Sequence, residues 1–167
     1  IINPNKDNFK IDLLSFAKEA NHIERIFDPI RDQDHAEALD TFLALNEITV
    51  GDLCKFVSSI EPTAKLRMTS EDNVWIGGHR APSAMTAQYR LNDLLLAVNE
   101  AKITPWKAHV EYEMIHPFMD GNGRSGRALW LWMMRREGWK FQLSFKHMFY
   151  YQTLDAYSRE AKSDKVK

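Results

Sequence analysis

HPFMDGNGRSGR, residues 116–127, is the segment from which the rest of the chain can be interpreted. It places an imidazole, a carboxylate, two glycines around an asparagine, and two arginines in one short turn. The ordinary pKa of histidine lies near neutral pH, so His116 is the side chain here best suited to act as a general base. Gly121 and Gly123 can adopt positive φ, which lets backbone N–H groups converge on an anion. The segment therefore predicts a phosphate site that carries its own base.

The residues after the loop extend this prediction. A helical pattern runs from Arg124 to Arg136, so the loop ends at a helix N-terminus, where free N–H groups and the helix dipole favour negative charge. Arg124 and Arg127 are three positions apart, which places both guanidinium groups on one helical face, where each can bind a phosphate. Asp120 adds a hard oxygen ligand, and a carboxylate bridged to phosphate by Mg²⁺ is usual at nucleotide sites.

At these positions the sequence resembles the Fic (Fic/Doc) family, whose motif HPFx(D/E)GNGRxxR is matched at every specified residue. The resemblance implies an AMP-transferring enzyme, which moves AMP from Mg-ATP to a Ser, Thr or Tyr hydroxyl of a target protein. The related Doc kinases replace the GNGR segment with one that carries a lysine, whereas this chain keeps GNGR.

The resemblance also assigns a role to each motif residue. His116 would be the catalytic base, Phe118 a core anchor and Asp120 the Mg²⁺ ligand. The remaining motif residues would bind the nucleotide phosphates: Gly121, Asn122, Gly123, Arg124 and Arg127. The cofactor and substrate implied are Mg²⁺ and ATP.

A second interpretation of the same region is a transition-metal site. His109, Glu113 and His116 are four and three positions apart and could share a helical face. No HExxH pattern is present, and Asp120 is the only further candidate ligand nearby. The alternative for His109 is a buried histidine that helps to fix the loop.

The N-terminal segment, residues 1–28, has the apolar spacing of a helix. The pattern predicts a start at Asp7 or Asn8 and an end at Pro29. Taken alone, Glu24 near the end of this helix is a solvated surface residue.

The Fic resemblance gives Glu24 a further role, since many family members carry an inhibitory helix with the pattern (S/T)xxxE(G/N). The Glu24 carboxylate would then pair with Arg127 and occupy the space that the γ-phosphate needs, because it offers the guanidinium the same bidentate geometry. Ala20 and Arg25 depart from the pattern. Loss of the hydroxyl at position 20 is expected to weaken the anchoring of the helix.

Residues 65–82 interrupt the helical rhythm and predict a β-hairpin. Its unpaired edge can accept an extended peptide by strand addition. The segment resembles the Fic flap over the active site, which would dock the target through Val74, Trp75, Ile76, Gly77, Gly78 and His79. The alternative is a hairpin without this function, with Trp75 in the core.

The remaining pattern predicts an all-α bundle, a single Fic-like domain over residues 1–167, with 104–137 as the catalytic helix–loop–helix. Helix caps are predicted at Asp34, Thr49, Ser83, Thr104 and Ser144. In the last helix, Tyr150 or Tyr151 is the candidate to stack on adenine, although core packing alone would explain both.

Composition limits the classes of partner. With 22 basic and 23 acidic residues the net charge is −1, so no overall field favours nucleic acid or an anionic membrane. The single cysteine, Cys54, excludes an internal disulfide. We expect a cytoplasmic, bacterial protein, with secretion as an effector left open, and a homodimer or an antitoxin as further partners.

Two alternative functions remain at this stage. One keeps the fold and changes the reaction, either by using another phosphate donor or by removing AMP from a target with Glu24 orienting water. The other is a catalytically silent module that only binds peptide.

Overall fold

The computed structural model describes residues 12–138. The predicted last helix from Ser144, with Tyr150 and Tyr151, lies outside the described residues, as do Asp7 and Asn8.

Within 12–138 the chain forms six helices and one two-stranded antiparallel sheet, which confirms the all-α prediction with a small hairpin. The elements are α1 (Leu13–Ile23), α2 (Pro29–Leu43), α3 (Val50–Ile60), β1 (Trp75–Ile76), β2 (His79–Arg80), α4 (Ala84–Asn99), α5 (Pro105–Ile115) and α6 (Asn122–Arg136).

Three predicted caps are present. The side chains of Thr49, Ser83 and Thr104 each accept a backbone N–H from the first turn of α3, α4 and α5. At Thr49 the Asp52 side chain accepts the Thr49 N–H in return, which completes a capping box.

The boundary between α1 and α2 differs from the prediction. Helix α1 begins after Asp12, whose Oδ1 accepts from the Leu14 N–H at 3.1 Å, and it ends at Ile23. Helix α2 begins at Pro29 with Asp28 as its cap, not at Asp34. Proline suits the first helical position because its missing N–H needs no partner there. Pro29 therefore starts one helix and does not end the other.

Helix α6 forms the centre of the bundle. Residues 128–133 are all buried, and the helix packs against α1, α2, α3 and α5. Trp132 reaches past the helix to donate from Nε1 to the Leu45 carbonyl at 2.9 Å. Helix α6 is thus enclosed by four other helices of the described chain.

The hairpin joins the bundle at the motif loop. Residues 65–67 run antiparallel to the loop, with a bridge between Leu66 and Phe118 and a bond from the Arg67 N–H to the Pro117 carbonyl at 2.9 Å. In the hairpin itself, Trp75 pairs with Arg80 across a turn. Trp75 is 67% exposed, so the alternative that buries it in the core is wrong.

Candidate functional site

His116 caps α5 in the left-handed conformation, with φ of 50° and ψ of 63°. A following proline ordinarily favours extended backbone, so the position is held by its surroundings. Its Nδ1 lies 3.2 Å from the Glu113 carbonyl oxygen. Because a carbonyl can only accept, Nδ1 carries the hydrogen and Nε2 keeps a lone pair. Burial lowers the pKa of His116, so the ring is neutral near neutral pH and Nε2 is able to take a proton.

The loop after His116 ends in an open helix N-terminus. Gly121 caps α6 with φ of 79° and offers no side chain to the first-turn N–H groups. Asp120 is exposed beside it, and its Oδ1 accepts from the Gly121 N–H at 2.6 Å. An exposed carboxylate next to free helix amides fits a Mg²⁺ ion whose other ligands are phosphate oxygens.

The Asn122 side chain holds the loop together. Its Oδ1 accepts from the Phe118 N–H at 2.9 Å, and its Nδ2 donates to the Phe118 carbonyl at 2.8 Å. Phe118 is buried, as its predicted role of core anchor requires. With both side-chain polar atoms engaged, Asn122 can serve an anion only through its backbone N–H.

Glu24 lies against the same helix N-terminus. Its Oε1 accepts from Arg127 Nη2 at 2.7 Å, and that nitrogen also donates to the Ala20 carbonyl at 3.1 Å. A Cβ added to Gly123 would collide with Glu24 Oε1 and lie 3.2 Å from Arg127 Nη1. The carboxylate therefore fills the space in front of the first turn of α6, where an anion would bind.

Helix α1, which carries Glu24, is anchored by a buried amide. Asn21 Nδ2 donates to Asp32 Oδ1 at 2.8 Å and to the Arg31 carbonyl at 3.2 Å, and Asn21 Oδ1 lies 3.2 Å from His35 Nδ1. The anchoring that a hydroxyl at position 20 was expected to provide comes here from the next residue. Arg25 follows Glu24 with φ of 60°.

Arg124 binds an acid that the sequence did not point to. Its Nη2 donates to Glu61 Oε2 at 2.9 Å and its Nη1 to the Ile60 carbonyl at 3.1 Å. Arg31 shares the same Glu61 oxygen at 2.5 Å. Burial acts to raise the pKa of Glu61, but the hydrogen bonds from Arg124 and Arg31 outweigh it, so the pKa is lowered. The partners are 63 positions apart in the chain, and no local pattern marks the pair.

Both motif arginines are therefore already ion-paired, each with a carboxylate from a different helix end. Arg124 and Arg127 are 2% and 1% exposed. Arg127 meets the acid at the end of α1, and Arg124 meets the acid at the end of α3. Arg124 and Arg127, both predicted to bind phosphate, thus lie in the first turns of α6 but point to different carboxylates.

Behind the loop, a buried histidine and carboxylate lie between α5 and α6. His109 Nε2 is 4.0 Å from Glu113 Oε1. Burial lowers the pKa of His109 to about 3 and raises the pKa of Glu113 to about 7. Among residues 12–138 no group of three or more His, Cys, Asp or Glu side chains could hold a metal ion, so the structure does not support the transition-metal interpretation.

The predicted docking residues follow the hairpin. Trp75, Gly77 and Gly78 are exposed, while Val74, Ile76 and His79 are half-buried. Gly77 turns the chain with φ of 57°. This arrangement leaves the hairpin tip open to solvent.

The start of α6 therefore has no side-chain cap, and the group that lies against its first turn is the Glu24 carboxylate paired with Arg127. The family described as Fic/DOC matches residues 38–134, more than half of the chain, and the chain belongs to this family. A comparison with curated proteins found no match.

Solved structures share the fold. A Fic-domain-containing signalling protein from Bacteroides thetaiotaomicron aligns over 92% of this chain and 76% of its own, with 18% identity and a TM-score of 0.68. A Fic family protein from Desulfovibrio desulfuricans aligns over 95% and 60%, with 20% identity and a TM-score of 0.64. Fic-1 from C. elegans aligns over 93% and 59%, with 18% identity and a TM-score of 0.64. The chain thus spans less than two thirds of the last two proteins.

None of the helices within 12–138 is both long and apolar enough to cross a membrane.

Proposed function

We propose that the protein is a protein adenylyltransferase that transfers AMP from Mg-ATP to a hydroxyl of a target protein and is inhibited by its own Glu24. The observation that carries the proposal is the Glu24 carboxylate, which pairs with Arg127 and lies against Gly123 in the first turn of α6. A carboxylate at this point resembles a phosphate in charge and geometry.

The proposed reaction uses His116 as the general base. Its Nε2 takes the proton from the target hydroxyl as the oxygen forms a bond to the α-phosphorus of ATP. The bond from that phosphorus to the α,β-bridging oxygen breaks, and pyrophosphate leaves. Burial lowers the pKa of His116, so Nε2 carries no proton at neutral pH and is available to accept one.

The rest of the loop would bind the phosphates. The first-turn amides of α6 and, once Glu24 has left, the Arg127 guanidinium would donate to the phosphate oxygens. When bound, Mg²⁺ held by Asp120 and phosphate oxygens would neutralise charge on the departing pyrophosphate. The target would reach His116 by adding an extended segment to the edge of the hairpin, residues 74–79.

Autoinhibition follows from competition for one guanidinium. Glu24 must leave Arg127 before a γ-phosphate can bind there, so the affinity for ATP is reduced by the cost of breaking this pair. A hydrogen bond to a charged group contributes about 1.5–3 kcal/mol, so we expect Glu24→Gly to raise the rate of transfer about 10- to 150-fold at ATP concentrations below saturation.

The test compares Glu24→Gly with the unchanged protein, each incubated with Mg²⁺, a cell lysate and ATP labelled at the α- or the γ-phosphate. Label from the α-phosphate alone, lost in Glu24→Gly/His116→Ala, supports AMP transfer. Label from the γ-phosphate would instead mean a kinase. No label from either would overturn the proposal in favour of another donor, removal of AMP or a silent peptide-binding module.

A matched control is Glu100→Gly. Glu100 caps α4 with φ of −81° and ψ of 1°, close to the −86° and 9° of Glu24 at the end of α1. It pairs with Lys102 and not with the motif. The same substitution at the same helix position should leave transfer unchanged, which separates release of Arg127 from a general loosening of helix ends.

A further inference from the structure

Arg67 is a buried guanidinium in the segment that leads into the hairpin. It is 1% exposed. Its Nε donates to the Asp72 carbonyl at 2.9 Å, its Nη1 to the His116 carbonyl at 2.8 Å, and its Nη2 to the Pro82 carbonyl. Every one of these acceptors is a backbone oxygen. The charge is therefore stabilised by peptide dipoles and fixed in one orientation.

The acceptors belong to three separate points of the fold. Asp72 lies before β1, Pro82 lies after β2, and His116 ends α5. The hydrogen bonds of one planar group thus join both ends of the hairpin to the residue that carries the base. Because a guanidinium presents its donors in a rigid fork, a shift of either hairpin end changes the direction of the bond to the His116 carbonyl.

The backbone of His116 depends on this support. A side chain other than glycine is disfavoured in the left-handed conformation, and such a conformation persists only when neighbouring contacts hold it. Nη1 of Arg67 also approaches the Ile115 carbonyl at 3.4 Å, so the last two peptide groups of α5 share this donor. The base is consequently oriented from the hairpin side as well as from its own helix.

We propose that Arg67 is a positioning residue that couples the hairpin to His116, so that a target segment seated on the hairpin also fixes the orientation of the base. The inference rests on the proposed function for its effect on transfer, while the coupling itself can be measured without any transfer.

Two consequences distinguish coupling from a merely structural role. Loss of the three-way hydrogen bonding should slow transfer and leave Mg-ATP affinity unchanged, because the Arg67 guanidinium donates to the two hairpin ends and to the His116 carbonyl. Burial is the main cause of the lowered pKa of His116, and the Arg67 charge lowers it further. Removing that charge should therefore raise the pKa of His116.

The experiment is done in the Glu24→Gly protein with Arg67→Lys and Arg67→Met. Lysine keeps the charge but loses the fork. For Arg67→Lys we expect incorporation from α-labelled ATP into lysate protein to fall about 10- to 100-fold, as misplacement of a catalytic group does. The Mg-ATP dissociation constant should stay within about twofold of the parent. The pKa of His116, followed by NMR titration, should be higher in Arg67→Met than in the parent and should be unchanged in Arg67→Lys.

Amide hydrogen exchange reports the hairpin side of the coupling. The Ala81 N–H donates to the Val74 carbonyl at 3.0 Å across the hairpin, and it should exchange faster in both Arg67 variants. Arg90→Lys is the control, since Arg90 donates to Glu111 Oε1 at 3.1 Å and 2.6 Å on the α4–α5 surface. It should change neither transfer nor exchange at Ala81.

Unchanged transfer in Arg67→Lys, or a loss of Mg-ATP affinity equal to the loss of rate, would overturn the coupling. A pKa of His116 that is the same in Arg67→Met as in the parent would also overturn the coupling.

If Arg67→Met does not fold, Asp72→Asn replaces it. Asp72 Oδ2 accepts from the Met68 and Thr69 N–H groups at 2.8 Å and 2.9 Å, so this change loosens the same hairpin end and should accelerate exchange at Ala81. If the Glu24→Gly parent transfers no AMP, the proposed function fails, while titration and exchange still decide the coupling.

Discussion

Arg25 adopts a left-handed backbone directly after Glu24, with φ of 60°. The inhibitory pattern of the family places glycine or asparagine at this point. Both residue types accept this conformation, whereas arginine bears the steric penalty of its Cβ. Arg25, which differs from the family pattern, therefore strains the backbone locally. The ion pair between Glu24 and Arg127 forms despite this strain.

We expect Arg25→Gly to stabilise the protein by about 1 kcal/mol, since relief of the left-handed penalty exceeds the added freedom of the unfolded chain. Thermal or urea unfolding measures the change. Ala101 is the matched position, following the cap of α4 with φ of 56°. Ala101→Gly should give a similar gain in stability, but only Arg25→Gly should also slow transfer, by holding Glu24 more firmly. A lower melting temperature for Arg25→Gly would contradict the strain argument.

Helices α5 and α6 approach closely because residue 126 has no side chain. A Cβ added to Gly126 would lie 2.7 Å from Glu113 Oε1 and 2.9 Å from Tyr112 Cδ1. Real Cβ atoms do not approach other atoms so closely, so α6 would have to move away from the helix that ends in His116.

We therefore expect Gly126→Ala to destabilise the protein by about 1–3 kcal/mol, as overpacking does, although alanine is the better helix former by about 1 kcal/mol. Gly51→Ala in α3 is the control, because its added Cβ would meet only Thr49 Oγ1 at 3.6 Å. That variant should be neutral or slightly stabilised. Equal midpoints in urea for Gly126→Ala and the parent would show that the two helices are free to separate.

The elements could be predicted from the sequence wherever a local signal has one meaning. Thr49, Ser83 and Thr104 were predicted as caps because each precedes an apolar periodic run and has an oxygen for the first-turn amides. The start of α2 could not be predicted in this way, because proline is common both just after the end of a helix and at the first position of one. Pro29 does the second here.

At the site, the motif predicted the loop, but the use of its side chains depends on distant parts of the chain. Glu61 meets Arg124 only because α3 ends beside the start of α6, and Asn122 binds Phe118 only once the loop has closed. The pair of Glu24 with Arg127 was foreseen from the family pattern, since composition and spacing alone make Glu24 a surface residue. Its inhibitory role stays a prediction.

Three buried groups contribute to the pH dependence of stability, in addition to His116 and Glu61, whose pKa values are also lowered. Burial lowers the pKa of His35 and of His109 to about 3, below the usual 6.5, so the unfolded chain binds their protons first and stability is lost as pH falls from 6.5 towards 3. Glu113 acts in the opposite sense. Its pKa is raised from 4.5 to about 7, so its contribution is present below 4.5 and is lost as pH rises through 7.

Two histidines outweigh one carboxyl group, so we expect unfolding free energy to decrease on acidification below pH 6.5. His35→Asn should reduce the slope of unfolding free energy against pH by the contribution of about one bound proton. The asparagine amide takes the position of Nδ1 and keeps the contact with Asn21, but it does not titrate. Glu113→Gln should steepen the slope and stabilise the protein above pH 7. Urea unfolding of the parent and of both variants at a series of pH values measures these slopes. A slope in His35→Asn equal to that of the parent would show that His35 is protonated in the folded protein.

The open tip of the hairpin also gives the molecule a built-in optical signal. Trp130 and Trp132 are buried in α6, whereas Trp75 is in contact with water. An indole shielded from water emits at shorter wavelength than a hydrated one. The proposed docking of a target segment along the hairpin would cover Trp75 and shift its emission to the blue. Binding of a candidate target could then be measured with neither a dye nor a radioactive nucleotide.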